Sequence, residues 1–396
     1  MFEICQPFPD DPILGLVSAY AEDTNAHKID LGAGVYQNES GQTPLLESVK
    51  LAEKLVADTE RTKSYLGLAG NEGFCDHISS LLLGADHSAL RSKRVATIQS
   101  VGGSGGLRVA AQCISEVTPS ACIWVGQPTW PNHQPLLGGA KCRLRPYTYY
   151  DFDNHCIAFE RMLTDLAEAN RGDLVLLHGC CHNPTGADLS KAQWQELVKA
   201  LDSRGLIPLI DVAYQGFSAD LDDDAYGLRL CADQLLEVFV VGSCSKNFGL
   251  YRERVGSVSV VANGRRDAEV ALSHLKRASR TLYSMPPNHG AAIVDEILSE
   301  PASRQHWENE LAGMRERINQ LRRELASELR QRTNSDRFDF IAADRGMFSL
   351  LGISKEQVRR LKSEYHIYVV NSGRVNIAGI RSANIDYLVD SIATII

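Results

Sequence analysis

Residues 95–116 read VATIQSVGGSGGLRVAAQCISE. The opening five, 95–99, are β-branched and apolar enough for a buried strand. The glycine-rich turn at 102–106 follows. From Leu107 to Glu116 the apolar residues fall at helical spacing. Strand, glycine turn and helix make up the repeating unit of an α/β sheet, and the chain goes on repeating it. Strand-type runs recur at 121–125, 173–178, 206–211, 237–242 and 256–261. Amphipathic stretches lie between them, among them 193–203, which opens on a capping box of Ser190 and Gln193. This alternation predicts a mostly parallel sheet with helices on both faces. Only residues 243–255 separate the last two runs, barely enough for a crossover helix, so the last strand is expected to run antiparallel.

The C-terminal part reads differently. Residues 302–332 form one charge-laced helical stretch interrupted only by Gly313. Strand-type runs follow at 338–342 and 347–351, then a helix capped by Ser354, runs at 366–370 and 374–377, and a last helix from about residue 383. That order suits a smaller α+β domain, with the long helix as the bridge. At 396 residues the chain exceeds the roughly 250–300 that one hydrophobic core supports. The expected division is a central domain at 45–310, with 1–44 and 311–396 together building the smaller one.

Composition narrows the function. With 44% hydrophobic and 23% charged residues the chain is an ordinary globular one, and no 20–50-residue period repeats. A net charge of −8 without a basic tail argues against nucleic-acid or anionic-membrane partners. No apolar run approaches the ~18 residues of a membrane span. The start, with Glu3, Asp10 and Asp11 and no early Lys or Arg, looks like neither a secretory nor a transit peptide. A cytoplasmic protein is expected, and its ten cysteines are read as reduced. The run His178-Gly179-Cys180-Cys181-His182 invites a metal. Its spacing is not that of zinc sites, and neighbours on an extended segment point to opposite sides, so a strand end of small residues is expected instead.

Several strand-end positions carry chemistry. Gly102–Gly106, at a helix N-terminus, suit a phosphate monoester, since glycines admit an anion to unpaired N–H groups. They are neither a Walker loop nor a dinucleotide fingerprint, lacking Gly-Lys-Ser/Thr and a ribose-binding acid. Asp211 ends one strand run, with Tyr214 three residues on. Lys246, in the small and apolar run 243–250, can lose its proton readily and act as a nucleophilic amine, with Arg254 nearby for an anion. Trp130 can stack on a flat ring, and Asn183, held extended before Pro184, can reach a ring oxygen. Arg280 and Arg374 are forks able to bind carboxylates.

Together these residues resemble the aspartate/aromatic aminotransferases, pyridoxal-phosphate enzymes of fold type I. The similarity spans nearly the whole chain through 11–16 (DPILGL), 31–36 (LGAGVY), 103–110, 130–133, 178–186, 211–214, 245–256 and 373–379. It implies a mixed, mostly parallel sheet of about seven strands and a ping-pong exchange of amino groups between amino acids and 2-oxo acids. It further implies that Lys246 holds pyridoxal 5'-phosphate as a Schiff base and moves the proton. Asp211 would pair with the pyridine N–H, supported by His133. Tyr214 and Asn183 would bond the ring oxygen, and Trp130 would stack on the ring. Gly103, Ser104, Gly105, Ser243 and Arg254 would bind the phosphate, joined by Tyr65 from a second subunit of a homodimer. Arg374 would clamp the α-carboxylate beside Gly34, and Arg280 of the neighbouring subunit would hold a distal carboxylate.

The chain departs from the aspartate-specific pattern at Leu282 and Met285, where asparagines are common, at Ser64 and at Ser104. A more apolar distal pocket favours dual specificity for aromatic and dicarboxylic amino acids over strict aspartate specificity. A related lyase or decarboxylase with the same cofactor is the near alternative. A dinucleotide-dependent oxidoreductase is the distant one, and it gives Lys246 no role.

Overall fold

The computed structural model describes residues 2–7 and 12–396, with the side chains of 12–14 left out. Asp11 of the 11–16 motif lies outside the described residues. The chain divides into two compact units. The larger comprises Pro44–Asn183 and Ala187–Glu316; the smaller comprises Met1–Thr43, Pro184–Gly186 and Arg317–Ile396.

A seven-stranded sheet organises the larger unit. Its strands are β1 (Val95–Val101), β2 (Cys122–Gln127), β3 (Arg143–Thr148), β4 (Leu174–His178), β5 (Ile207–Val212), β6 (Val238–Ser243) and β7 (Val255–Val261). They lie in the order β1-β7-β6-β5-β4-β2-β3. As expected, β7 runs antiparallel to both neighbours, and the remaining pairs are parallel. The register sets His178 opposite Asp211, and Gly256 opposite both Ser243 and Ser100. Chemistry-bearing residues therefore collect at one edge of the sheet, beyond the C-terminal ends of the parallel strands. Strand β3 escaped the sequence reading because RLRPYT carries two arginines and Pro146. Such a composition is tolerated at the edge position it occupies.

Helices α1 (Gly102–Val117) and α2 (Lys191–Arg204) connect β1 to β2 and β4 to β5, and α3 (Arg265–Leu282) follows β7. Ile98, Val241 and Val258 of the sheet bury against Leu107 and Val109 of α1 and Leu275 of α3. Each such side chain contributes about 1.5–3 kcal/mol of hydrophobic stabilisation. Close seating of α1 depends on Gly106, where a Cβ would come within 2.7 Å of Val241 Cγ1. The capping box that starts α2 forms as read, with Ser190 accepting from Gln193 N–H and Gln193 accepting from Ser190 N–H.

Helix α4 (Pro301–Thr333) contains the division between the units, at Glu316 and Arg317. In the smaller unit Ile29–Asp30 pairs parallel with Ile367–Tyr368, and Phe348–Leu350 pairs antiparallel with Arg374–Asn376. A second capping box, Ser354 with Gln357, starts the helix Lys355–Tyr365. The strand expected at 338–342 is instead a helical turn, Phe340–Ala343. Phe338 and Ile341, three residues apart, are both fully buried, and that spacing suits one face of a helix rather than a strand. Behind this turn Arg322 of α4 is buried and donates to the carbonyls of Ile341, Arg345, Gly346 and Phe348 and to Ser349 Oγ. Among the described residues no helix is long and apolar enough to cross a membrane, and none of the ten cysteines is in a disulfide.

Candidate active site

The glycine turn becomes the first turn of α1. Gly102 adopts a left-handed φ of +64°, and its N–H donates to the Arg254 carbonyl at 2.8 Å. A Cβ on Gly102 would meet Arg254 Nη2 at 2.4 Å, and one on Gly103 would meet Ser243 Cβ at 3.2 Å. The helix N-terminus, Ser243 and the Arg254 guanidinium thus adjoin one another. Arg254 is itself left-handed (φ +56°), and its Nη1 donates to Ser245 Oγ and to the Tyr251 carbonyl. Its Nη2 and the Ser104 hydroxyl make no hydrogen bond among the described residues. A helix N-terminus, an arginine edge and hydroxyls together form an anion cradle.

At the end of β5 the buried Asp211 carboxylate accepts a hydrogen bond from His133 Nε2 at 3.0 Å. Burial pushes its pKa up; the hydrogen bond from His133 and the nearby Lys246 ammonium help to overcome this and hold it below the usual carboxylate value. Thr129 Oγ1 lies 2.7 Å from His133 Nδ1 and 3.3 Å from His178 Nε2, and His178 Nδ1 accepts from Asn183 N–H. Burial and His133 push the His178 pKa down to about 3, so its ring is neutral. Proton order then follows along the chain. Asn183 N–H donates to His178, His178 Nε2–H to Thr129, Thr129 O–H to His133, and His133 Nε2–H to Asp211. Asp211 remains the buried anion at the end.

Lys246 Nζ lies 4.7 Å from the centroid of the Tyr214 ring. Its loop is braced from below, where Trp307 stacks on Phe248 at 4.2 Å and donates to the Asn247 carbonyl at 2.7 Å. Trp130 meets His133 edge-on at 5.3 Å. Lys246, Asp211, Tyr214, Trp130, His133, Asn183, Gly103, Ser104, Gly105, Ser243 and Arg254 all belong to the larger unit, on turns beyond the strand ends.

The remaining predicted residues lie on other elements. Tyr65 is 92% exposed in a loop. Arg280, near the end of α3, is exposed, and its Nη1 donates to Ser284 Oγ at 2.7 Å. Leu282 packs partly against the core of the sheet. Arg374 and Gly34 belong to the smaller unit. There Arg374 is buried, donates to the Gly32 carbonyl at 2.7 Å and lies over the Phe348 ring, which also sits 3.6 Å from where a Gly34 Cβ would be.

Two findings were not foreseen. Thr129 and Ser245 organise the site, yet nothing in their spacing marks them. Cys180 and Cys181 do not point to opposite sides. Cys181 is left-handed (φ +52°), and both thiols lie within 4.8 Å of each other and of the Asp224 carboxylate. The geometric half of the case against a metal therefore fails. Asp224, however, already anchors the following turn, accepting from the N–H groups of Gly216, Ser218 and Ala219. The neighbouring thiol and burial also push Cys180 well above its ordinary pKa, which opposes thiolate formation.

Known proteins are similar to this chain over nearly its whole length. The family described as aminotransferase class I and II matches residues 26–392. An aspartate aminotransferase of Haemophilus influenzae is 46% identical over the full length of both chains. An aromatic-amino-acid aminotransferase of Paracoccus denitrificans is 43% identical over 98% of each. The crystal structure of an aromatic-amino-acid aminotransferase from Burkholderia pseudomallei, covalently bound to pyridoxal phosphate, superposes with a TM-score of 0.97 at 41% identity, covering 100% of this chain and 99% of that one. The chain belongs to the class I and II aminotransferases. It is a transaminase of the pyridoxal-phosphate fold, and pyridoxal 5'-phosphate is its cofactor. The residues present fit that group: an anion cradle, an amine at Lys246 and a buried carboxylate at Asp211 occur together.

Proposed function

We propose that this transaminase exchanges amino groups between dicarboxylic or aromatic L-amino acids and 2-oxo acids, with the roles of its residues as follows. The α1 N-terminus with Gly103, Ser104 and Gly105, together with Ser243 and Arg254, holds the phosphate. Asp211, kept anionic and oriented by His133, binds the protonated ring nitrogen. Asn183 and Tyr214 bond the ring oxygen, and Trp130 covers one ring face. Bound pyridoxal phosphate supplies an electron sink that makes the α-proton of an amino acid acidic. Lys246 Nζ would hold the cofactor and, when not bonded to it, would move that proton as a general base and acid. Arg374 takes the substrate α-carboxylate, with Gly34 leaving room beside it.

The observation that carries the substrate reading is the state of Arg280. Its guanidinium is exposed and tethered in the described residues by Ser284, so it can meet a distal carboxylate or swing aside for an aromatic ring. The relatives named for aspartate and for aromatic amino acids, at similar identity, support the same breadth. We read the protein as a homodimer in which Tyr65 and Arg280 complete the partner's site. Both are exposed in a single chain, and Leu51 and Leu55 on the helix Glu47–Thr59, with Leu45 just before it, are exposed apolar residues. The ten cysteines, none of them in a disulfide, support a cytoplasmic location.

The test is to supply aspartate, glutamate, tyrosine and phenylalanine separately with a 2-oxo acid acceptor. Turnover of both classes is expected. Turnover of dicarboxylic substrates alone would reduce the reading to a strict aspartate enzyme.

A further inference from the structure

The edge of the sheet opposite Asp211 carries a second cavity, of about 240 Å³. Leu174, Ile207, Phe239 and Val260 line it from the sheet and Ile114 from α1, while Ala271 and His274 contribute from α3. Strand β5 runs from Ile207 in this cavity to Asp211 at the other edge, so the two places are roughly 13 Å apart along the strand. Glu237 and Asp267 line the cavity and are exposed, which puts them at its rim. Neither carboxylate has a hydrogen-bond or ion-pair partner among the described residues. His274 Nδ1 is buried there without a partner.

We propose that this cavity is a second ligand site, selective for a small ammonium ion with a one-ring apolar body. Cavities of about 150 Å³ lined by aliphatic and aromatic side chains already admit a benzene ring, so there is room for a phenyl group and a short chain. The ring enters the apolar interior and the cationic nitrogen stays at the rim between Glu237 and Asp267. A carboxylate on the ligand would face two carboxylates of the same sign, so amino-acid substrates are rejected while the corresponding amines are taken.

The test uses N,N-dimethylphenethylamine on the pyridoxal-phosphate-loaded enzyme. This tertiary amine is cationic at neutral pH and cannot condense with an aldehyde, so it does not report on Lys246 or the cofactor. Calorimetry is expected to show one saturable site with a Kd of roughly 1 mM or tighter, with a matching NMR shift of the His274 ring. The double variant Glu237→Gln/Asp267→Asn, changed only in exposed side chains, should bind about tenfold more weakly. Ala271→Phe should abolish binding, and kcat should be unchanged in both variants. N,N-dimethylphenylalanine, the same ring with a carboxylate, should bind at least about tenfold more weakly. Absence of saturable binding to the unaltered enzyme, equal affinity for the carboxylate-bearing analogue, or undiminished affinity in the double variant would overturn the proposal.

Discussion

His133 Nε2 donates to Asp211 Oδ2 across 3.0 Å in a buried setting. That bond opposes the upward push of burial and helps to hold the carboxyl below its ordinary pKa. Replacing Asp211 by Ala removes the anion proposed to face the ring nitrogen, and kcat should fall by at least about 10²–10³-fold in steady-state assays. His133→Asn should cost less, because the carboxylate remains.

The same bond sets a pH dependence. The folded pKa of Asp211 lies below the ordinary value of 3.8. A group depressed in this way stabilises the folded, loaded enzyme above its unfolded pKa, and the contribution disappears as pH falls through the folded value. Cofactor retention through Asp211 should therefore be constant above about pH 5 and decline only below pH 4. Retention followed by fluorescence across an acid series checks this, and a loss centred near neutrality would contradict it.

Arg254 is held at the α1 N-terminus by Ser245 and the Tyr251 carbonyl. Arg254→Gln should raise the cofactor Kd about 10–100-fold, in line with the loss of a charge-assisted hydrogen bond. Dialysis of the loaded enzyme followed by quantitation of retained cofactor measures the effect.

Arg280 and Ser284 form a 2.7 Å pair at the end of α3. Arg280→Ala should lower kcat/KM for aspartate by about 10²-fold, leaving phenylalanine within about threefold. Equal losses for both substrates would contradict the proposed division of labour.

In the smaller unit, Arg322→Met would leave four carbonyls and the Ser349 hydroxyl without a buried donor. A destabilisation of about 3–5 kcal/mol is expected from denaturant unfolding, with no direct effect on cofactor affinity.

Much of this was legible in the sequence because each strand of the α/β sheet ends in a turn whose residue types announce chemistry. Gly102–Gly106, Asp211 and Lys246 all stand at such turns, and the short link at 243–255 also gave the antiparallel β7. Local pattern failed where tertiary position decides. The edge strand β3 tolerates a proline and arginines that would exclude it from the interior, and the short apolar run 338–342 hid the three-residue spacing of Phe338 and Ile341 that suits a helical face. Thr129 was silent because its role depends on two histidines, one of them far along the chain. Cys181 misled because a non-glycine left-handed residue leaves no signature in composition.

The central claim is that Lys246 carries the cofactor and moves the proton. Its most direct test is the visible absorption spectrum of the enzyme loaded with pyridoxal phosphate, recorded before and after addition of L-glutamate, for the native protein and for Lys246→Ala. The native protein should show a visible band that glutamate discharges and 2-oxoglutarate restores, and the variant should neither discharge nor turn over at a comparable rate. A Lys246→Ala enzyme that cycled like the native one would contradict the account.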